Sequence, residues 1–270
     1  MDVKKVLLIS QEIDPYLNSS PLAAFSRGLA QGIQEKGAEV RSFMPKYGAI
    51  NERRNQLHEV IRLSGMNIII DDTDHPLIIK VATLQPTRLQ VYFIDNDDYF
   101  YRHSPGKLET VDSAAENDER TMFFVRGTVE TVKKLRWEAD IVQCAGWITA
   151  LTPLYLKHIY NEDPSFRNSK IVYSLYNDAF EGDLDARLAD KLRQEGFDEA
   201  QLATILNPEG NVDYIRLNKL AIDHADAIVE SAEGIAPELI EYAKASGKPF
   251  LPYSEAEQGA AAYHTFYQSL

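Results

Sequence analysis

The 270 residues carry a net charge of −13, which excludes nonspecific attraction to nucleic acid or to an anionic membrane surface. A chain that is 44% apolar and 26% charged is globular rather than disordered, and it is long enough for one large α/β domain or two small ones. The single cysteine, Cys144, excludes an internal disulfide and a cysteine-built zinc cage. The N-terminus runs straight into a strand, with no small-residue cleavage site, so no signal peptide is expected. No apolar run approaches the ~18 residues of a membrane span. The expectation is a soluble, acidic, cytoplasmic protein.

Val6-Leu7-Leu8-Ile9 reads as a buried strand of a parallel sheet. The polar loop from Gln11 to Ser19 follows, with Glu12, Asp14, Asn18 and Ser19. Ser20 as N-cap, Pro21 at the first helical position and Gly37 as a stop predict a helix ending near Lys36. Leu22, Phe25, Leu29 and Ile33 form its apolar face. A strand over Val40 to Met44 completes a βαβ unit. The first loop of that unit lies where open α/β sheets bind ligands.

Two strands, Val60 to Asp71 and Leu77 to Leu84, are predicted to form an inserted β-hairpin with an acidic turn from Asp71 to Pro76. Asp71, Asp72, Asp74 and His75 lack the glycine and later glutamate of a calcium loop and read as solvated turn residues. Leu89 to Ile94 is a buried strand that ends in Asp95-Asn96-Asp97-Asp98-Tyr99-Phe100-Tyr101. Residues 104–116 read as an exposed loop and 116–137 as a helix. A strand over 139–143, a helix over 148–160 and a strand over 170–175 come next. Residues 183–206 give weak helical signals in two pieces. A helix over 211–225, a strand over 227–229 and a helix over 231–245 follow. The last helix opens with a capping box, Ser254-x-x-Glu257, and carries Tyr263, Phe266 and Tyr267 to dock on the domain.

This alternation predicts a single Rossmann-like α/β domain, with a mainly parallel sheet, helices on both faces and the inserted hairpin. Residues 1–250 form the domain, and 251–270 the C-terminal helix docking on it.

The chemistry-bearing residues each carry two readings. Glu12 and Asp14 have the residue types of an acid–base pair for glycoside hydrolysis, but loop carboxylates are more often solvated or cap helices. Asp95, Asn96 and Asp98 either meet the first loop in space or serve as turn and cap residues. Cys144 has no histidine nearby in sequence and reads as an inert thiol. The six histidines show no metal-ligand spacing. Tyr99, Phe100, Tyr101, Trp147 and Tyr176 make either a sugar-stacking wall or core.

Six stretches, in order, carry a resemblance: KVLLISQEIDPYL, VYFIDNDDYFYR, ENDERTMFFVRGTVE, DIVQCAGWITALTPLYLK, IVYSLYNDAFEGDL and LNKLAIDHADAIVES. They are similar to segments of bacterial glycogen synthases and plant starch synthases, the retaining glycosyltransferases of family 5. The resemblance covers nearly the whole chain but only half of that enzyme. It implies the N-terminal half of a GT-B architecture, in which a second domain holds most of the nucleotide-sugar site.

The motif residues have changed. The family's Lys-Thr-Gly-Gly-Leu is matched by Asn18-Ser19-Ser20-Pro21-Leu22, which removes the cation and one N–H that a donor phosphate would use. His-x-His-Asp-Trp-His becomes Gln143-Cys144-Ala145-Gly146-Trp147-Ile148, and the histidine of an Ile-His-Asn stretch becomes Tyr176. Stabilising a leaving phosphate needs those donors and charges. The resemblance with these changes implies a glycogen/starch synthase family protein with no catalytic residue retained and no metal or cofactor. It implies a module binding an α-glucan, a nucleotide-sugar-like ligand, a protein partner or a second copy. Its ligand surface would comprise Glu12, Asn18, Ser19, Asp95, Asn96, Tyr99, Trp147, Tyr176 and Asn177. Two alternatives stand beside this: an active transferase completed by a second polypeptide, and a purely structural or regulatory interaction protein.

Overall fold

A computed structural model describes residues 2–17, 20–101, 116–206 and 211–270. The loop expected over 104–116 lies outside them, Glu116 excepted. The first unit follows the sequence closely. β1 (Lys5–Ser10) leads into α1 (Pro21–Glu35), whose N-cap Ser20 accepts the Ala23 N–H at 3.0 Å. Gly37, at φ +96°, ends the helix, and β2 (Glu39–Pro45) pairs parallel to β1.

The short β3 (His58–Glu59) precedes the hairpin of β4 (Met66–Ile70) and β5 (Thr73–Leu84). The acidic turn is shorter than the composition suggests. Only Asp71 and Asp72 form it, at φ 47° and 62°, the left-handed pair that a tight hairpin needs. Thr73 to Pro76 belong to β5, and the strand predicted from Val60 starts at Met66.

β6 (Leu89–Asp95) pairs antiparallel to β5 and parallel to β2. One turn of helix, α2 (Asp97–Phe100), follows, and α3 (Asn117–Leu135) leads to β7 (Ile141–Ala145). The helix expected from Ile148 is delayed. Residues 147–149 make a 3₁₀ turn, and α4 (Thr152–His158) begins where Pro153 can occupy its first turn. β8 (Lys170–Leu175), α5 (Leu188–Gln194), α6 (Tyr214–His224) and β9 (Ala227–Glu230) come next. α7 (Pro237–Ala245) also starts at a proline, later than the spacing implies.

The last helix divides in two. After β10 (Phe250–Leu251), α8 (Tyr253–Ala256) starts behind Pro252, and Gly259 at φ +71° separates it from α9 (Ala260–Ser269). The capping box does not form, because Ser254 already sits inside the first turn.

Among the described residues the strand order is β10-β9-β8-β7-β1-β2-β6-β5-β3, with β4 paired to β5. β1 has β2 on one side and β7 on the other, both parallel, so the order reverses there. Neighbouring residues of one strand reach opposite faces. Tyr173 of β8 bonds Asn218 of α6 at 2.7 Å, while Ser174 sits 3.4 Å from Tyr263 of α9. Helices therefore cover both sides. Val6 to Ile9, Ile141, Val142, Val172, Ile228 and Val229 are buried between them.

Candidate functional site

The carboxyl ends of β1, β8 and β9 surround a cleft of about 750 Å³. That volume falls within the ~300–1,000 Å³ range of small-molecule sites. Its lining is Gln11, Glu12, Ser20 to Leu22 and Phe25 from the first loop and α1. Tyr176 to Ala179 and Ser231 to Glu233 follow β8 and β9. Tyr253 and Glu257 come from the segment around α8.

β7 lies between β1 and β8; it ends in Ala145, and Gly146 follows it. Ala145 packs beneath Leu22 and Tyr176. Gly146 has φ +91°, and a Cβ there would lie 2.6 Å from the Gln11 Cβ, so only glycine fits. The Gln11 side chain crosses this point and accepts the Ile148 N–H at 3.4 Å.

Glu12 is 3% exposed. Ser20 donates to its carboxylate, and Ser10 holds its carbonyl at 2.7 Å. Burial raises the Glu12 pKa; the Ser20 hydrogen bond opposes this and the charge of Asp178 reinforces it. Asp178 accepts the Trp147 N–H at 3.0 Å. The Tyr214 hydroxyl lies 2.8 Å from Asp178 and 2.7 Å from the Tyr176 carbonyl, so one proton is shared between two acceptors. Burial also raises the Asp178 pKa. The Tyr176 hydroxyl is buried beside Ser231 without a well-formed hydrogen bond.

The described lining holds four carboxylates (Glu12, Asp178, Glu233 and Glu257), three aromatic rings (Phe25, Tyr176 and Tyr253) and no lysine, arginine or histidine. Carboxylate and amide oxygens accept from hydroxyl groups, and aromatic faces cover the C–H faces of a sugar ring. A phosphate would find no positive partner in this wall.

Of the nine residues singled out in the sequence, Glu12, Tyr176 and Asn177 meet in the cleft. Asn18 and Ser19 lie outside the described residues. The structure engages the other four elsewhere. Asp95 pairs with Lys80 at 2.8 Å. Asn96 caps α2, accepting from the N–H groups of Asp98 and Tyr99 while donating to the Pro76 carbonyl. The Tyr99 hydroxyl sits 2.9 Å from both His75 and Glu119. Trp147 is fully buried, its ring edge-on to Phe180 with centroids 4.9 Å apart.

A single aromatic wall is therefore not formed, and of its five expected members only Tyr176 lines the cleft. Asp14 pairs with Arg27 at 3.0 Å rather than joining Glu12. Burial pushes the Cys144 thiol up to about 12, which leaves it inert. Among the described residues no group of three or more His, Cys, Asp or Glu has a metal-holding arrangement, and no helix is long and apolar enough to cross a membrane.

Residues 5–248 match the family described as the starch synthase catalytic domain. The chain belongs to this family. It is 34% identical over 239 residues to the glycogen synthase of Pelodictyon phaeoclathratiforme, which covers 87% of this chain and 47% of that protein. Against the glycogen synthase of Chlorobium chlorochromatii it is 40% identical over 175 residues, 64% of this chain and 36% of the other. The fold matches the catalytic domain of starch synthase IV from Arabidopsis thaliana, solved bound to ADP and acarbose. The TM-score there is 0.72 at 19% identity, covering 93% of this chain and 51% of that one. The chain spans about half the length of the curated relatives it matches.

At three positions where the resemblance puts histidines, the structure places other side chains in packing roles. Gln143 is buried and donates to Ser174 at 2.8 Å, while its carbonyl accepts from Tyr267 of α9 at 2.8 Å. Ala145 and Tyr176 pack together with Leu22. Gln143 ties the sheet to the C-terminal helix, and the other two make an apolar floor.

Sequence reasoning missed Phe25, Asp178, Ser231, Glu233, Tyr253 and Glu257. Asp178 was within reach, because it follows Tyr176-Asn177 at the end of a predicted strand. The spacing of Phe25 marks it only as core, and nothing in the chain around Tyr253 and Glu257 announces a site.

Proposed function

We propose that this glycogen/starch synthase family chain binds a neutral α-glucan-type ligand in the cleft and does not transfer glucose. The observation that carries the reading is the lining. It is rich in hydroxyl-accepting oxygens and aromatic faces and has no cation among its described residues. A nucleotide-sugar donor brings a diphosphate, whose departure needs positive charge or N–H donors. Asn18 and Pro21 stand where the family pattern has a lysine and a glycine, and Ala145 and Tyr176 where it has histidines. These substitutions support a glucan ligand over a nucleotide-sugar one.

A second reading, a synthase completed by another polypeptide, draws on the length of the relatives, about twice that spanned here. The acidic lining weighs against it, because a partner would bring the donor phosphate to a wall of carboxylates.

Titration calorimetry with maltotriose, ADP and ADP-glucose, together with transfer of labelled glucose from ADP-glucose or UDP-glucose to glycogen, tests the reading. The expected result is heat of binding with maltotriose, none with ADP, and no incorporation above a blank. Incorporation that is lost in Asn18→Ala would overturn the claim of inactivity. Tight ADP binding without maltotriose binding would overturn the choice of ligand.

A further inference from the structure

The cleft has a wall that the family match does not reach. The match stops at residue 248, and Tyr253 and Glu257 lie beyond it. They sit past β10, on the opposite side of β8 from the first loop and Glu12. Both sides of this segment are anchored. Phe250 and Leu251 pair with Ile228 and Val229 of β9. On the far side Tyr263 and Tyr267 are fully buried, with Tyr263 2.7 Å from Ser231 and Tyr267 bonded to Gln143. Gly32 of α1 leaves room for Ala260, since a Cβ at Gly32 would lie 2.4 Å from the Ala260 Cβ. Within the segment Ala256 is buried, and the Tyr253 N–H reaches the Glu230 carboxylate at 3.3 Å. α8 is thus held in place by three separate attachments.

Tyr253 and Glu257 are four residues apart, so one helical turn places them on the same side, and both reach the cleft. An aromatic face beside a carboxylate is the pairing that takes a sugar ring, the face covering C–H groups and the oxygens accepting from hydroxyls. We propose that Tyr253 and Glu257 are ligand-contacting residues that complete the site from this chain's own C-terminal segment. The ligand is then a short neutral oligosaccharide held between this wall and Glu12 and Asn177. The inference rests on the glucan reading above.

The test is titration calorimetry of the full chain with maltotriose, comparing wild type, Asn177→Ala, Tyr253→Ala and Glu257→Gln, with thermal melting of each. Loss of a stacking face or of a charged hydrogen bond is expected to weaken binding about tenfold in Tyr253→Ala and Glu257→Gln. Glu257 is exposed, so Glu257→Gln reports on binding even if Tyr253→Ala melts early. Wild-type affinity in both C-terminal variants, with loss in Asn177→Ala, would overturn the inference and leave the glucan reading standing. Absence of maltotriose binding by wild type would overturn both.

Discussion

The cleft and the rest of the molecule satisfy buried carboxylates in different ways. Outside the cleft, carboxylates are matched with cations. Lys80 bridges Glu52 at 2.7 Å and Asp95 at 2.8 Å, and Lys46 reaches Glu52 at 2.8 Å. Lys191, 3% exposed on its side chain, contacts Asp118, Glu119 and Asp185 within 3.1 Å. Burial works against its charge, but the bonds to Asp118 and Glu119 hold its pKa well above the ordinary lysine value. In the cleft, Glu12 and Asp178 have hydroxyl and backbone N–H partners, and no cation lines it among the described residues. Carboxylates satisfied by lysines brace a scaffold, whereas those of the cleft wall rest on hydroxyl and backbone N–H groups.

The largest test of this contrast is Lys191→Met. Removing the cation strands Asp118, which is wholly buried, and breaking such a cluster costs about 3–5 kcal/mol. Thermal unfolding is expected to drop by about 10 °C. An unchanged Tm would show that these carboxylates do not depend on their lysine, and the contrast would fail.

A smaller effect is expected for Tyr267→Phe. It leaves the Gln143 carbonyl buried without its donor, at about 1–3 kcal/mol, and a fall in Tm of a few degrees follows. No fall would mean that α9 is held by packing alone.

Glu12→Gln has the opposite sign. The folded-state pKa of Glu12 lies above its ordinary value of 4.5, so in the window between the two the folded chain holds a proton that the unfolded chain has released. The contribution of Glu12 to stability is therefore greatest below that ordinary value and declines as pH rises through the window. Glutamine keeps an acceptor for Ser20 and carries no charge. The variant is expected to flatten the dependence of Tm on pH just above about 4.5 and to melt slightly higher at neutral pH. A steeper dependence would contradict the burial argument.

The smallest effect on stability belongs to Asn177→Ala. This exposed amide is expected to leave Tm within about a degree of wild type while maltotriose binding falls about tenfold. Unchanged binding would remove Asn177 from the site.

The frame of the molecule was legible because its signals are local. Ser20-Pro21 fixes the start of α1, and the short apolar run 6–9, rich in β-branched residues, reads as a buried strand. Gly37 stops the helix through its positive φ. The site was legible only in part. Glu12, Tyr176 and Asn177 stand at strand ends that the pattern located. Asp95, Asn96 and Tyr99 stand at a strand end as well, but β6 lies two strands from β1 on the side away from β8, and no local signal reports that separation. Trp147 was ambiguous because an aromatic ring that packs in a core and one that stacks on a ligand look the same in sequence. Tyr253 and Glu257 depend on how 250–260 folds back, which the capping-box pattern misread by placing the helix start at Ser254.

The attachment of α9 to α1 through Gly32 and Ala260 has a consequence for biosynthesis. A ribosome delivers α1 before any of β7 to β10, and the residues that bury its outer face about 230 positions later. A nascent chain halted at residue 252 would hold the strands of the sheet but neither Tyr253 nor Glu257, and Gln143 and Ser174 would lack their α9 partners. The cleft thus takes its final shape only after translation has passed α9, and until then the α1 side of the sheet is the surface a chaperone would meet.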